Sequence, residues 1–146
     1  MASSSSKVTV SRVVKAPIDK VWDAIAELDF TFWSLVERSD LVGRSPGEIG
    51  SIRKVTFKDK TVQKYKVLEI SELDHFITYE LIESDPPVPV MSAIYTIHAQ
   101  RVTSDNTTFV KWSSEFSSDG GLEATQDSKY KKQEALADLS NLIESI

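Results

Sequence analysis

The chain has 146 residues, a formal net charge of −5 and no cysteine. Its length suits one domain with a substantial core, and the lack of cysteine excludes disulfides, cysteine nucleophiles and zinc–thiolate sites. The negative charge argues against a nucleic-acid partner. The short apolar runs predict no integral membrane association, and with no signal-peptide pattern the chain is expected to be cytoplasmic.

The first part of the chain predicts a strand followed by helical segments. Residues 1–6, MASSSS, form a polar lead-in that is expected to be disordered. Residues 7–15 are rich in β-forming residues and predict a strand that ends before Pro17. From Pro17 to Leu28, apolar residues recur at helical spacing and predict a short amphipathic helix. Residues 29–36, DFTFWSLV, are interpreted as a second short helix or an irregular piece.

The remaining sequence predicts a series of strands and then one long helix. Alternating side chains predict strands at Ser51–Lys58, Thr61–Ile70, Phe76–Glu83, Met91–Val102 and Thr107–Phe116. After Gly120 and Gly121 the spacing becomes helical, with an apolar stripe of Ala135, Leu136, Leu139, Leu142, Ile143 and Ile146. A long antiparallel sheet needs a cover for its concave face, and this helix is long enough to provide it. We therefore predict a single α+β domain over residues 7–146.

The concave face of the predicted sheet carries an arginine. Alternation places Arg53 on the same side of its strand as Val55 and Phe57. On the neighbouring strands, the inward side chains are predicted to be Tyr65, Val67, Ile77, Tyr79, Leu81, Tyr95, Ile97, Ala99, Val110, Trp112, Ser114 and Phe116. Apolar side chains with a few polar tips are typical of the lining of a small-molecule site.

A buried arginine needs a partner, because an isolated buried cation costs on the order of several kcal/mol. Two interpretations stay open. In the first, Arg53 forms a structural ion pair with Glu69, Asp23 or Glu27. In the second, its guanidinium is free to donate hydrogen bonds to a carboxylate, enolate or carbonyl group of a ligand.

Several segments of the chain together resemble a known family. They are APIDKVWDAIAELDF, GEIGSIR, KVLEISELDHFITYELIE, PVPV and VKWSSEF. In this order they resemble the polyketide cyclase/dehydrase and lipid-transport family of the START/Bet v 1-like (SRPBCC) superfamily, over almost the whole chain after the lead-in. The resemblance implies a helix-grip fold, in which a seven-stranded curved antiparallel sheet surrounds a long C-terminal helix. It also implies a hydrophobic cavity between sheet and helix. The two short helices predicted from the sequence after the first strand complete this fold.

Within that superfamily, the chain is distantly similar to plant lachrymatory-factor-synthase-like proteins. The resemblance implies that Arg53 polarises a substrate, and that Tyr95 and Trp112 match a pocket tyrosine and a sheet tryptophan. Those enzymes transfer a proton through a glutamate where this chain has Tyr65, which is a poor base at neutral pH but can donate a proton. The candidate catalytic residues are therefore Arg53, Tyr65 and Tyr95. The candidate ligand-binding residues are Arg53, Val55, Phe57, Tyr65, Val67, Tyr79, Tyr95, Ile97, Trp112 and Ser114.

Three functional hypotheses follow from these residues. In the first, the protein binds a hydrophobic small molecule (lipid-, polyketide- or terpenoid-like) in an internal cavity, with Arg53 and the tyrosines at its polar end. In the second, the same cavity is the active site of a cofactor-free cyclase, dehydratase or isomerase acting on a carbonyl-containing substrate. In the third, the protein presents a ligand-dependent surface to a protein partner. The oligomeric state is left open.

The acids and bases among the predicted inward residues favour binding over catalysis. The predicted inward set contains no histidine, cysteine or well-placed glutamate, although Glu69 would change this if it faced inward. No cofactor is expected, and no metal, because His75 and His98 have no partner at ligand spacing. On the C-terminal helix, Lys129, Lys131 and Lys132 are interpreted as a solvated face, and Tyr130 as the main contact of its first half.

Overall fold

A computed structural model describes residues 5–43, 45–88, 92–117 and 121–145 of the chain. Its elements are, in order, β1 (Ser5–Val14), α1 (Ile18–Ile25), β2 (Val36–Val42), β3 (Ile52–Phe57), β4 (Val62–Ser71), β5 (Phe76–Asp85), β6 (Ala93–Val102), β7 (Thr107–Ser117) and α2 (Gly121–Glu144). The α+β class, the strands predicted from alternation and the long C-terminal helix are confirmed. Neither of these helices is long and apolar enough to cross a lipid bilayer.

The strands form a curved antiparallel sheet in the order β1-β7-β6-β5-β4-β3-β2. Strand β1 therefore lies at one edge beside β7, and β2 forms the other edge. The helix α2 covers the concave face with the buried side chains of Ala135, Leu136, Leu139 and Ile143. This is the predicted helix-grip arrangement.

The start of the first strand and the number of strands differ from the prediction based on alternation. Strand β1 begins at Ser5, so residues 5 and 6 belong to the sheet and not to a disordered lead-in. Residues 1–4 lie outside the described residues, and the predicted strand residue Met91 does too. The sheet also contains β2, which alternation did not predict. The sequence of β2, VERSDLV, has half-buried and exposed side chains throughout, so it lacks the buried apolar face that alternation detects.

Of the two interpretations of residues 29–36, the second short helix is wrong and the irregular piece is confirmed up to the start of β2. After α1 the backbone turns at Leu28 (φ 56°) and Phe30 (φ 54°), a left-handed conformation that ends a right-handed helix. These turns insert both side chains into the core, where each is 2% exposed. The ring of Phe30 lies 5.8 Å, centroid to centroid, from the ring of Trp112 and stacks on it. Burial of these side chains compensates for a backbone conformation that costs roughly 1–3 kcal/mol per residue.

The predicted inward faces of the strands agree with the burial of their side chains. Nearly all of the predicted residues on β4 to β7 are buried: Tyr65, Val67, Ile77, Tyr79, Tyr95, Ile97, Ala99, Val110, Trp112, Ser114 and Phe116. Leu81 on β5 and Phe57 on β3 are half-buried, because both lie where the sheet opens away from the main core. The concave face is therefore apolar and aromatic. Most of it is covered by the packed core, and one end of it borders a cavity.

Candidate functional site

A cavity of about 260 Å³ lies between the concave face of the sheet and α2. Its lining comes from the segment after α1, from strands β3 to β7 and their connections, and from α2. The residues are Trp33, Leu35, Phe57, Lys58, Asp59, Thr61, Gln63, Tyr65, Leu81, Val88, Tyr95, Phe116, Asp127, Ser128, Lys131 and Lys132.

The wall of the cavity is divided into an apolar body, a polar inner part and a charged rim. Five apolar side chains form the body: Trp33, Leu35, Phe57, Leu81 and Phe116. The buried polar groups come from Tyr65, Tyr95, Ser128 and Lys132. Exposed charged residues of the β3–β4 turn and of α2 form the rim, where Lys131 pairs with Asp127 at 3.0 Å. A mainly apolar pocket with a few converging polar groups is the usual form of a small-molecule site.

Lys132 is the buried cation of this cavity. Its side chain is 8% exposed, and Nζ donates a hydrogen bond to Ser128 Oγ at 2.9 Å. The same nitrogen lies 4.5 Å from the centroid of the Tyr95 ring and 5.3 Å from that of Trp112, within the range of cation–π attraction. Among the described residues, no carboxylate lies within salt-bridge distance of it. Lys132 is thus held by a hydroxyl and two aromatic rings.

Burial dominates the electrostatics of Lys132. Removal from water disfavours the ammonium form and lowers its pKa from 10.5 to about 7, with a smaller contribution in the same direction from Lys131. Asp127 acts in the opposite direction and makes the smallest of the three contributions. Its carboxylate is paired with Lys131. Near neutral pH, Lys132 therefore exists in both the protonated and the neutral form.

Tyr65 heads a chain of hydrogen bonds on the sheet side of the cavity. Its hydroxyl donates to Gln63 Oε1, and Gln63 Nε2 donates to Ser84 Oγ at 3.1 Å. Ser84 Oγ in turn donates to the carbonyl oxygen of Pro86 at 2.8 Å. The chain fixes the positions of Gln63 and Tyr65 across β4 and β5.

Tyr95 and Tyr79 differ in what their hydroxyls contact. Tyr79 lies behind the cavity wall, where its hydroxyl accepts a hydrogen bond from Trp112 Nε1 at 3.1 Å. The hydroxyl of Tyr95 makes no hydrogen bond to any residue that the structure describes, and Tyr95 lines the cavity. Burial raises the pKa of Tyr65, Tyr79 and Tyr95, so that all three stay protonated at physiological pH.

Arg53 does not occupy the position predicted from the sequence. It lies beside Tyr65 on the concave face, but it is not part of the cavity lining. Its Nη2 donates to the carbonyl oxygen of Glu27 at 3.0 Å, just beyond the end of α1, and its buried Nε has no partner among the described residues. None of the predicted ion pairs of Arg53 is found among the described residues, and Arg53 lies outside the cavity lining. Its long side chain extends along the sheet towards α1 instead. Glu69, a predicted partner, is exposed.

The remaining predicted site residues fall into two groups. Phe57, Tyr65 and Tyr95 line the cavity. The others lie outside its lining: Val55, Val67, Tyr79, Ile97, Trp112 and Ser114. Two of these support the lining from behind, since Ser114 Oγ lies 3.2 Å from Ser128 Oγ and the Trp112 ring lies under Lys132. Their roles in ligand binding remain predictions.

Sequence reasoning missed the principal polar residue of the site. Lys132 was interpreted as part of a solvated face, whereas it is buried; Lys129 and Lys131 are exposed as predicted. Tyr130, predicted as the main contact of this part of the helix, is 67% exposed. The sequence did indicate that Lys132 is buried, because Ser128 and Lys132 continue the apolar stripe of α2 at helical spacing towards the start of the helix.

Comparisons with known proteins identify the family of the chain and agree with its fold. Residues 5–144 match the family model described as polyketide cyclase / dehydrase and lipid transport. A solved structure of a protein from Nitrosospira multiformis is 30% identical, with a TM-score of 0.83 over 93% of this chain and 94% of that chain. No curated protein matches the chain.

Two more distant structures show the same fold. XoxI from Bacillus cereus is 21% identical, with a TM-score of 0.82 over 94% of this chain and 95% of its own. Major latex-like protein 151 from Panax ginseng is 17% identical, with a TM-score of 0.75 over 98% and 97% of the two chains. Because the family match spans nearly every residue and the helix-grip fold accompanies it, the chain belongs to the polyketide cyclase / dehydrase and lipid transport family.

Proposed function

We propose that the protein binds a small, mainly hydrophobic molecule with one polar end in the cavity between its sheet and α2. The observation that carries this proposal is the arrangement of the lining, in which an apolar body leads to the buried amine of Lys132 and the hydroxyl of Tyr95. Membership of the family supports ligand binding in general.

The size of the cavity limits the ligand. A space of about 260 Å³ holds the liquid volume of roughly nine water molecules. It lies just below the range of about 300–1,000 Å³ that is typical of sites for drug-sized ligands. The enclosed part of the ligand is therefore on the order of ten non-hydrogen atoms, the size of a one- or two-ring molecule of polyketide or terpenoid type.

The lining also sets the direction in which such a ligand lies. Trp33, Phe57 and Leu81 contact its apolar body, whereas Lys132 and Tyr95 face its polar end. Both polar groups are hydrogen-bond donors in their protonated forms, so they select an acceptor such as a carbonyl or ether oxygen. Arg53, predicted for this role, is replaced in the proposal by Lys132.

Calorimetric titration with 2-naphthol, a two-ring probe of suitable size, tests the proposal. We expect saturable binding to the wild-type protein and loss of binding in Leu81→Trp, which fills the cavity from its wall. Leu73→Trp introduces the same side chain at a position that is 86% exposed and should bind as the wild type does. Equal binding to all three proteins, or to none, would contradict a ligand site in this cavity.

A second candidate function is cofactor-free proton transfer on a carbonyl substrate, and the buried amine of Lys132 favours it. A base with a pKa near the working pH is an efficient proton acceptor, and the pKa of Lys132 is lowered to about 7. Tyr95, which stays protonated, supplies a hydrogen bond to the carbonyl oxygen as negative charge develops.

Exchange of the α-protons of acetophenone for deuterium, followed by NMR, measures this activity. The wild-type protein and Lys129→Met, which alters an exposed lysine of the same helix, should both accelerate exchange. Lys132→Met should lose the acceleration, and Tyr65→Phe should reduce it if the Tyr65 chain positions the substrate. An exchange rate that is the same with and without the wild-type protein argues against this second function.

A further inference from the structure

The amine of Lys132 combines three features that seldom occur together at a lysine. It lies in the wall of an apolar cavity, it has no carboxylate partner among the described residues, and its neighbours fix its position. A lysine kept only for stability is usually at the surface or paired with an acid, because a buried unpaired ammonium is unfavourable. The position of Lys132 therefore indicates that its nitrogen atom has a function.

We propose that Lys132 forms an imine with an aldehyde or ketone that enters the cavity, so that small carbonyl compounds are the ligand class of this protein. This rests on the proposed function, since the carbonyl compound must first occupy the apolar cavity. It goes beyond that function because the ligand becomes covalently and reversibly attached.

The electrostatic surroundings of Lys132 make its nitrogen a nucleophile. Only the neutral amine attacks a carbonyl, and burial lowers the pKa of Lys132 to about 7. At pH 7 about half of this side chain is neutral, compared with about one in 3,000 for a lysine with a pKa of 10.5. The advantage in reactive amine over an ordinary surface lysine is thus on the order of a thousandfold.

The charged and titratable groups around Lys132 come from the helix and from the facing strands. They are Asp127 and Lys131 on α2, Tyr65 on β4, Tyr95 on β6, and Lys58 and Asp59 in the β3–β4 turn at the rim. The two tyrosines are neutral because burial raises their pKa. The ring faces of Tyr95 and Trp112 attract the ammonium, which opposes the effect of burial and keeps the protonated form accessible.

The reaction requires no additional reagent. The lone pair of neutral Nζ forms a bond to the carbonyl carbon, and the π electrons move to the oxygen, which is protonated to give a carbinolamine. The oxygen then leaves as water with the two protons that the amine carried, and a C=N bond remains. Tyr95, whose hydroxyl is protonated and has no partner among the described residues, can donate a hydrogen bond to the oxygen, and Ser128 Oγ holds Nζ in place.

Reductive trapping with benzaldehyde and sodium cyanoborohydride tests the proposal on the full chain. The hydride donor converts the imine to a stable secondary amine, which peptide mapping by mass spectrometry locates. At pH 7 and limiting aldehyde, we expect the adduct at Lys132 and not at exposed lysines such as Lys129. In Lys132→Arg and Lys132→Met the adduct should disappear, and in Lys129→Met it should persist.

Calorimetry with benzyl alcohol, which has the same shape but no carbonyl, separates the two proposals. If benzyl alcohol binds but the adduct is absent from Lys132 or spread evenly over surface lysines, imine formation is refuted and the binding site stands. If benzyl alcohol fails to bind and no adduct forms at Lys132, both proposals fail. Mapping of the wild-type protein decides the outcome even if the Lys132 variants do not fold.

Discussion

Replacing Lys132 by methionine should make the protein more stable at low pH, although it removes a hydrogen bond and two ring contacts. Methionine has a similar length and no charge, so it fits the same space beside Tyr95 and Trp112 without the need to bury an ammonium. Ser128 keeps its contact with Ser114 Oγ at 3.2 Å. The variant therefore isolates the free energy of placing a charge in the cavity wall.

The magnitude follows from the change in pKa between the unfolded and folded states. The pKa of Lys132 falls from 10.5 to about 7, and each unit corresponds to about 1.36 kcal/mol, which gives an upper limit of about 5 kcal/mol. We therefore expect Lys132→Met to be more stable than the wild type by up to about 5 kcal/mol below pH 7. Between pH 7 and 10.5 the unfolded chain binds more protons at this site than the folded chain. The free energy of unfolding of the wild type therefore rises with pH in this window.

Urea unfolding at a series of pH values from about 6 to 10 measures the effect, with Lys129→Met as the control on the same helix. The difference between Lys132→Met and the wild type should shrink as pH rises, whereas the exposed control should follow the wild type throughout. Parallel pH profiles for Lys132→Met and the wild type would show that Lys132 titrates as an ordinary lysine. That result would refute both its assigned burial and the reasoning about its chemistry.

Three further predictions concern the parts of the fold that support the cavity. Arg53→Met should lower the free energy of unfolding by about 1–2 kcal/mol and leave 2-naphthol affinity unchanged in calorimetry; a large loss of affinity would return Arg53 to the ligand site. Tyr79→Phe removes the acceptor of buried Trp112 Nε1 and should cost about 1–3 kcal/mol in urea unfolding, an estimate that an unchanged midpoint would contradict. Leu136→Ala, at a position 1% exposed, should cost about 2–5 kcal/mol. Leu142→Ala, 46% exposed, should change stability much less, and similar losses would mean that α2 is oriented differently.

The sequence predicted those elements whose signal is local. Alternation in β4 to β7 identified both the strands and their buried faces, because each of these strands has a core on one side. It did not identify β2, an edge strand whose side chains are exposed or half-buried. The end of α1 was also missed, since the left-handed turns at Leu28 and Phe30 are stabilised by core contacts that helical spacing cannot represent.

The same difference between local signals and tertiary contacts explains which site residues were predicted correctly. Alternation gave the correct face for Arg53 but not the direction of its long side chain, which a backbone carbonyl beyond α1 determines. For Lys132 the residue type was misleading, because a lysine near other lysines usually marks a solvated face. Its spacing from Leu136 and Leu139 was the better indicator, since it continues the buried stripe.

Over residues 126–145, the contacts that attach α2 to the rest of the protein are concentrated in the C-terminal half of the helix. The apolar anchors begin at Ala135, and the tie from Ser34 to Asp138 and that from the Lys15 amide to Glu144 hold the same end. Among the described side chains of α2 before Ala135, the buried ones are the polar Ser128 and Lys132. Local unfolding of the part of α2 around Ser128 and Lys132 would open the cavity while the part from Ala135 onwards stays attached, so a ligand can enter and leave far faster than the whole chain unfolds.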